Sequence, residues 1–203
     1  MNKPLLLILE GPDRSGKGTF LSVCRDIIPT EKLVTLHSSK PPSVITKYVD
    51  EDEAPIVLQE WSFNYYMNLA DSVKALSQIN SVIILDRSYL GEFVYGPMYR
   101  KATYDNDDFY NMELEFFRSC GISLDDAFLL NFSDSPEKLV SRDDGMSHSS
   151  DIEAKHKELV LFKGLFDISA IENKIELNWQ EKEFSEETCE KVITHIALTR
   201  LGV

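Results

Sequence analysis

In Leu7–Phe20, LILEGPDRSGKGTF, an apolar run stops at Gly11, and Gly16 and Lys17 follow at the spacing Gly-x-x-x-x-Gly-Lys. Glycines there let the backbone curl so that successive N–H groups point inward. Between a strand and a helix, such a nest adds a helix N-terminus to the backbone donors and holds a polyphosphate. A lysine closing the loop reaches the terminal phosphates and offsets charge as a phosphoryl group is transferred. Loops of this kind ordinarily follow the lysine with a Ser or Thr hydroxyl for magnesium. Here Gly18 takes that place and Thr19 comes next. Magnesium is then held through water, by Thr19, or by a carboxylate elsewhere in the chain.

A second charged set lies in Val82–Gly96, VIILDRSYLGEFVYG. Asp86 and Arg87 stand where a buried strand ends, and in an open parallel sheet ligands bind beyond the carboxyl ends of the strands. An acid there holds hydrated magnesium, and an arginine clamps a phosphate with its planar fork.

Both sets require a parallel sheet behind them. Apolar runs at Leu5–Leu9, Leu33–Leu36, Ser81–Leu85, Ala127–Phe132 and Ile175–Leu177 read as strands. Helical patterns alternate with them at Gly16–Ile27, Ile56–Ile79, Asp107–Ser119, Pro136–Ser141, Ile152–Ala170 and Ser185–Leu201. Within Ile56–Ile79, the side chains of Phe63, Met67, Ala70 and Val73 share one side. The alternation predicts an α/β fold, a five-stranded parallel sheet with helices on both faces. Asp143–Asp151, polar and serine-rich, is the exception; joining two helical patterns, it suits a short lid over about 142–152.

The bulk properties narrow the function classes. A chain of 203 residues suits one domain with its own core. A net charge of −13 argues against stable binding to nucleic-acid phosphates, though not against a small basic pocket. Cys24, Cys120 and Cys189 are far apart and form no metal-type spacing, so they read as reduced thiols of a cytoplasmic protein. No stretch reaches the ~18 apolar residues of a membrane span. The opening Met1-Asn2-Lys3-Pro4 lacks the apolar stretch of a secretory signal. Small-molecule nucleotides, rather than membranes or nucleic acid, are the expected partners.

These motifs carry a family resemblance. EGPDRSGKGT, Glu10–Thr19, looks like the phosphate loop of the thymidylate kinases. LDRSYLGEFVYG, Leu85–Gly96, resembles their Asp-Arg-Tyr segment and also the Glu-Arg-Ser segment of the deoxynucleoside kinases. The lid followed by ELVLFKGLF, and KIELNWQEKEFSEETCEKV, resemble the family's lid and long helix and its last strand, adenine-side loop and helix. VYGPMYR, Val94–Arg100, looks most like virus-encoded members, which would place the protein in the cytoplasm of a phage host. The likeness implies a P-loop NTPase fold over 1–203 as a single kinase domain, ATP and Mg²⁺ as cofactors, and dTMP phosphorylated to dTDP. Family members often pair, so it also admits a homodimer.

The resemblance assigns roles position by position. Gly11, Ser15, Gly16, Lys17, Gly18 and Thr19 would hold ATP phosphates, with Arg142 on the same side. Lys17, Arg14, Arg87 and Asp86 would be catalytic, with Asp86 and Thr19 serving the metal. The lid Asp143–Asp151 carries no Arg or Lys, so the sequence fits members whose transferring phosphoryl group meets an arginine in the loop, here Arg14. Asp13 would meet the 3′-hydroxyl of the acceptor, and Arg87 and Lys40 its phosphate. Trp61 falls where an aromatic ring stacks on thymine, and Asn64 at the family's asparagine. Tyr65 replaces an arginine, Glu92 sits near the base edge, and Tyr95 crowds the sugar 2′ position and favours deoxyribose. Glu92 and the arginine replaced by Tyr65 keep a second enzyme class open: a kinase for a hydroxyl acceptor, either a deoxynucleoside or a 5-hydroxymethyl pyrimidine, free or in DNA. A non-catalytic nucleotide-binding regulator is a third, opposed by the intact Arg14, Lys17, Asp86 and Arg87.

Overall fold

The computed structural model describes residues 4–38, 53–143, 145, 147–180 and 185–201. Along the chain come β1 (Leu5–Glu10), α1 (Lys17–Ile27), β2 (Leu33–His37), α2 (Ala54–Leu76), β3 (Val82–Asp86) and α3 (Tyr89–Tyr99). They are followed by α4 (Asn106–Cys120), β4 (Ala127–Ser133), α5 (Pro136–Ser141), α6 (Ile152–Ile168), β5 (Asn173–Asn178) and α7 (Glu186–Leu201). The strands form one parallel sheet in the order β2-β3-β1-β4-β5. The chain leaves β1 for β2 on one side, returns through β3, then crosses to β4 on the other. The strand ends where the order reverses are those of β1 and β3, the place where such sheets bind ligands.

Burial on both faces explains the unbroken apolar runs. Leu6 and Ile8 of β1 enter one core with Ile83, Leu85, Ala70, Phe93 and Phe116. Leu5, Leu7 and Leu9 enter the other with Phe20, Ile84, Phe128, Leu130 and Ile193. Every residue of β1 is therefore buried, and no polar alternation is written into it.

One helix lies where the sequence patterns mark none, and one expectation changes. The helix α3 runs through LGEFVYGPMY, whose two glycines and Pro97 disfavour helix. Tertiary packing decides here, since Tyr89–Gly96 are all buried. Ser88 caps the helix by accepting a hydrogen bond from the Leu90 amide at 3.3 Å. Gly96 is required by space, because a Cβ there would lie 2.8 Å from Glu92 Oε1 and 2.9 Å from the Tyr104 ring. The changed expectation concerns α2. It buries Leu58, Ser62, Tyr66, Leu69, Ala70 and Val73, whereas Phe63 is exposed. One residue beyond Ser62 on the helix, Phe63 points about 100° away from the buried stripe and lines a groove with Phe93 and Met112 instead. Among the described residues no helix is long and apolar enough to cross a membrane.

Candidate active site

Beyond β1 the chain turns with φ of +130° at Gly11 and +101° at Gly16. A Cβ at Gly11 would fall 2.2 Å from the Phe132 carbonyl oxygen of β4, so only glycine fits. Arg14, exposed between them, also adopts a left-handed φ of +67°. The Ser15 hydroxyl donates to Pro12 O at 2.8 Å, and the Trp179 indole, just past β5, donates to Ser15 O at 2.7 Å. Both bonds brace the loop from within the protein.

Lys17 opens α1 and is buried. Its ammonium donates to Gly11 O at 2.6 Å, Pro12 O at 2.7 Å and Ser15 Oγ at 3.3 Å. Burial pushes its pKa down to about 8, against the opposing pull of Asp86 and Glu10. The charge thus rests on oxygen atoms of the loop itself.

At the end of β3, Arg87 takes a φ of +73°, and its amide donates to Leu9 O of β1 at 3.1 Å. Its guanidinium forms an ion pair with Asp13 and donates to the Tyr95 hydroxyl at 3.2 Å. Three candidate residues from separate segments therefore meet at one point. Asp86 Oδ2 lies 2.8 Å from His37 Nδ1, at the end of the neighbouring β2. No motif in the sequence marks His37; its signal is its place as the last residue of a strand paired with one ending in Asp86.

These residues surround a cleft of about 430 Å³ lined by Asp13, Arg14, the Gly16–Thr19 turn, His37, Asp86, Arg87, Arg142 and Ser147. Arg142 reaches it anchored 2.9 Å from the buried carboxylate of Asp134 and 3.3 Å from Arg14 O. The Asp86 carboxylate and the Thr19 hydroxyl both line the cleft. Oxygen donors of this kind suit magnesium, which keeps several waters and takes phosphate oxygens alongside one or two carboxylates. No cluster of three or more His, Cys, Asp or Glu suited to a metal occurs among the described residues.

Glu10, the last residue of β1, is a site residue that the motifs assign no role. It is buried directly behind the loop. Its Oε1 accepts from the Ser88 amide at 2.5 Å and the Ser88 hydroxyl at 2.7 Å, fixing the turn that carries Arg87. Burial raises its pKa to about 7, opposed by those bonds and by Arg87 and Lys17.

The residues expected around a base sit farther out. On α2, Trp61 and Tyr65 stack ring against ring at 5.0 Å with an interplanar angle of 16°. The Glu92 carboxylate is engaged by Arg100 at 2.5 Å and the Tyr104 hydroxyl at 3.1 Å, and burial raises its pKa. Lys40 lies outside the described residues.

Solved structures share this architecture. The YorR protein of Bacillus subtilis, in complex with phosphorylated GDP, superposes with a TM-score of 0.60 at 18% identity, covering 96% of each chain. Thymidylate kinase from Candida albicans gives a TM-score of 0.64 at 15% identity, covering 98% of this chain and 93% of its own. No family profile and no curated protein matches the chain. The fold is the α/β P-loop fold, shared with these structures.

Proposed function

We propose that the protein is an ATP-using, Mg²⁺-dependent kinase of deoxynucleoside monophosphates, with dTMP its principal acceptor. The observation that carries this reading is the cleft lined by both Lys17 of the loop and Arg87 at the end of β3, Arg87 held between Asp13 and Tyr95. The likeness in fold to a thymidylate kinase and to a protein solved with phosphorylated GDP supports a nucleotide as ligand.

In this reading the donor phosphates fill the loop and replace the carbonyls now holding Lys17. The acceptor phosphate takes the guanidinium of Arg87, which releases Asp13 to receive a hydrogen bond from the sugar 3′-hydroxyl. One ion pair thereby becomes two substrate contacts. The Tyr95 ring stands where a 2′-hydroxyl would lie, and the Trp61–Tyr65 pair offers the base a stacking surface. Asp86 and Thr19 would hold a magnesium ion, which when bound would supply charge compensation for the donor phosphates. Phosphoryl transfer depends on alignment and charge compensation more than on covalent help. An ionised acceptor phosphate needs no general base, and Lys17, Arg14 and Arg87 surround the group in flight with positive charge.

A second reading, a kinase for a hydroxyl acceptor, is favoured by Tyr65, which leaves no guanidinium there to grip a thymine. One measurement separates the two. The kcat/KM values for dTMP, UMP, dGMP, thymidine and hydroxymethyluracil-containing DNA are compared under one set of conditions. We expect dTMP to lead, UMP to trail it clearly, and Tyr95→Ala to narrow that gap. Thymidine or the DNA outrunning every monophosphate would overturn the assignment.

A further inference from the structure

The cleft has a member that belongs to neither motif. His37 is the last residue of β2, and the register of the parallel pair sets it beside Asp86, the last residue of β3. Side chains paired in this way share a face of the sheet, so imidazole and carboxylate emerge together at the strand ends, and both residues line the cleft. Nδ1 and Asp86 Oδ2 are 2.8 Å apart. An ionised carboxylate only accepts, so Nδ1 is the donor. The Ser38 amide, donating to Asp86 O at 3.1 Å, ties the same strand ends through the backbone.

Stability does not account for the side-chain pair. The His37 side chain is 61% exposed and that of Asp86 18%, and a polar pair so open to water adds little. Orientation does account for it. The terminal torsion of an aspartate is soft, so an untethered carboxylate turns and offers either oxygen or both. The imidazole removes that freedom by taking Oδ2, which leaves Oδ1 for a ligand.

Divalent cations differ in what they accept from a carboxylate. Mg²⁺ demands octahedral geometry and keeps several waters, whereas Ca²⁺ is larger, takes more ligands in irregular arrangements and often uses both oxygens of one carboxylate. We propose that His37 is a positioning residue that makes Asp86 a single-oxygen donor and so sets the preference of the cleft for Mg²⁺ over Ca²⁺. In this role the imidazole acts through Asp86 and needs no contact with metal or nucleotide. The proposal rests on the kinase reading but not on which acceptor is used.

The test replaces His37 in two ways. His37→Leu removes the donor, and His37→Asn restores an N–H close to the place of Nδ1. Because the side chain is exposed, both variants should melt within a few degrees of the wild type. The non-hydrolysable β,γ-imido analogue of ATP is titrated calorimetrically into each protein in EDTA, in Mg²⁺ and in Ca²⁺. The gain from each metal is the ratio of the Kd in EDTA to the Kd with that metal. We expect the wild type to gain more from Mg²⁺ than from Ca²⁺. In His37→Leu the Mg²⁺ gain should fall roughly tenfold, while the Ca²⁺ gain moves less than about threefold and the Kd in EDTA less than about twofold. His37→Asn should keep the wild-type ratio of the two gains. Equal gains in the wild type, an unchanged ratio in His37→Leu, or a ratio in His37→Asn as low as in His37→Leu would each overturn the proposal alone. A wild type that binds no analogue in any of these solutions rejects the kinase reading and the proposal with it.

Discussion

On the proposed reading, Lys17 and Arg14 divide the work of the loop between ground state and transition state. Lys17 is already seated among loop acceptors, so Lys17→Ala should leave the fold intact and lower kcat/KM by roughly 10²-fold or more. Near-wild-type turnover would remove the phosphate loop from the mechanism. Arg14 is exposed on a strained backbone and lines the cleft, where the proposed reading sets it beside the migrating group. Arg14→Ala should therefore depress kcat far more than it raises the KM for ATP, while Ser147→Ala in the lid should change little. The reverse ranking would move the transition-state role from Arg14 to the lid. Glu10 makes a prediction in pH. Its folded pKa of about 7 exceeds the ordinary 4.5, so the native state holds a proton that the unfolded chain gives up earlier. Its stabilising share is complete below pH 4.5, declines as pH rises, and is gone above 7. Tm for the wild type minus Tm for Glu10→Gln should fall by on the order of 5 °C between pH 4.5 and 8. A difference that stays flat would mean that Glu10 is ionised throughout.

The elements differ in how openly the sequence declares them. The strands and the loop after β1 are legible because double-sided burial writes continuous apolar runs and because Gly11 tolerates no Cβ. The helix α3 is hidden by its glycines and proline, and the buried face of α2 departs from its sequence pattern at Phe63, since both depend on neighbours distant in sequence. Much of the site is legible for a local reason: Asp13, Arg14 and Lys17 share one loop, while Asp86, Arg87 and Tyr95 share one strand-to-helix junction. Glu10 and His37 are not, because each acquires meaning only from a partner on another element or from burial. Glu113 of α4 is a structural case of the same kind. It is buried and accepts from the Tyr89 hydroxyl at 2.8 Å, the Ser169 hydroxyl at 2.7 Å and the Ala170 amide at 2.5 Å, joining α3, α4 and the end of α6. Glu113→Ala strands three donors and should cost about 3 kcal/mol in urea unfolding. The folded fraction should retain its kcat, and a large loss of kcat in well-folded protein would give Glu113 a role in the chemistry.

For the molecule as a whole, the acidic surface and the basic cleft are compatible because the cations are matched locally. Arg87 is paired with Asp13 and Arg142 with Asp134, so a ligand that takes either guanidinium does so in exchange for a carboxylate. Such exchange favours compact, highly charged ligands over a weakly held polymer. The bond from the Trp179 indole to Ser15 O carries a practical consequence. The chain has only two tryptophans, and they stand on opposite sides of the proposed reaction, Trp179 under the phosphate loop and Trp61 in the aromatic pair of α2. On the proposed reading, each tryptophan reports on one substrate. In Trp61→Phe the remaining emission should change in intensity on adding ATP and stay constant on adding dTMP. In Trp179→Phe the response should belong to dTMP, through quenching of Trp61 by the stacked base. Order of binding then becomes readable by stopped-flow mixing, without a label and without turnover.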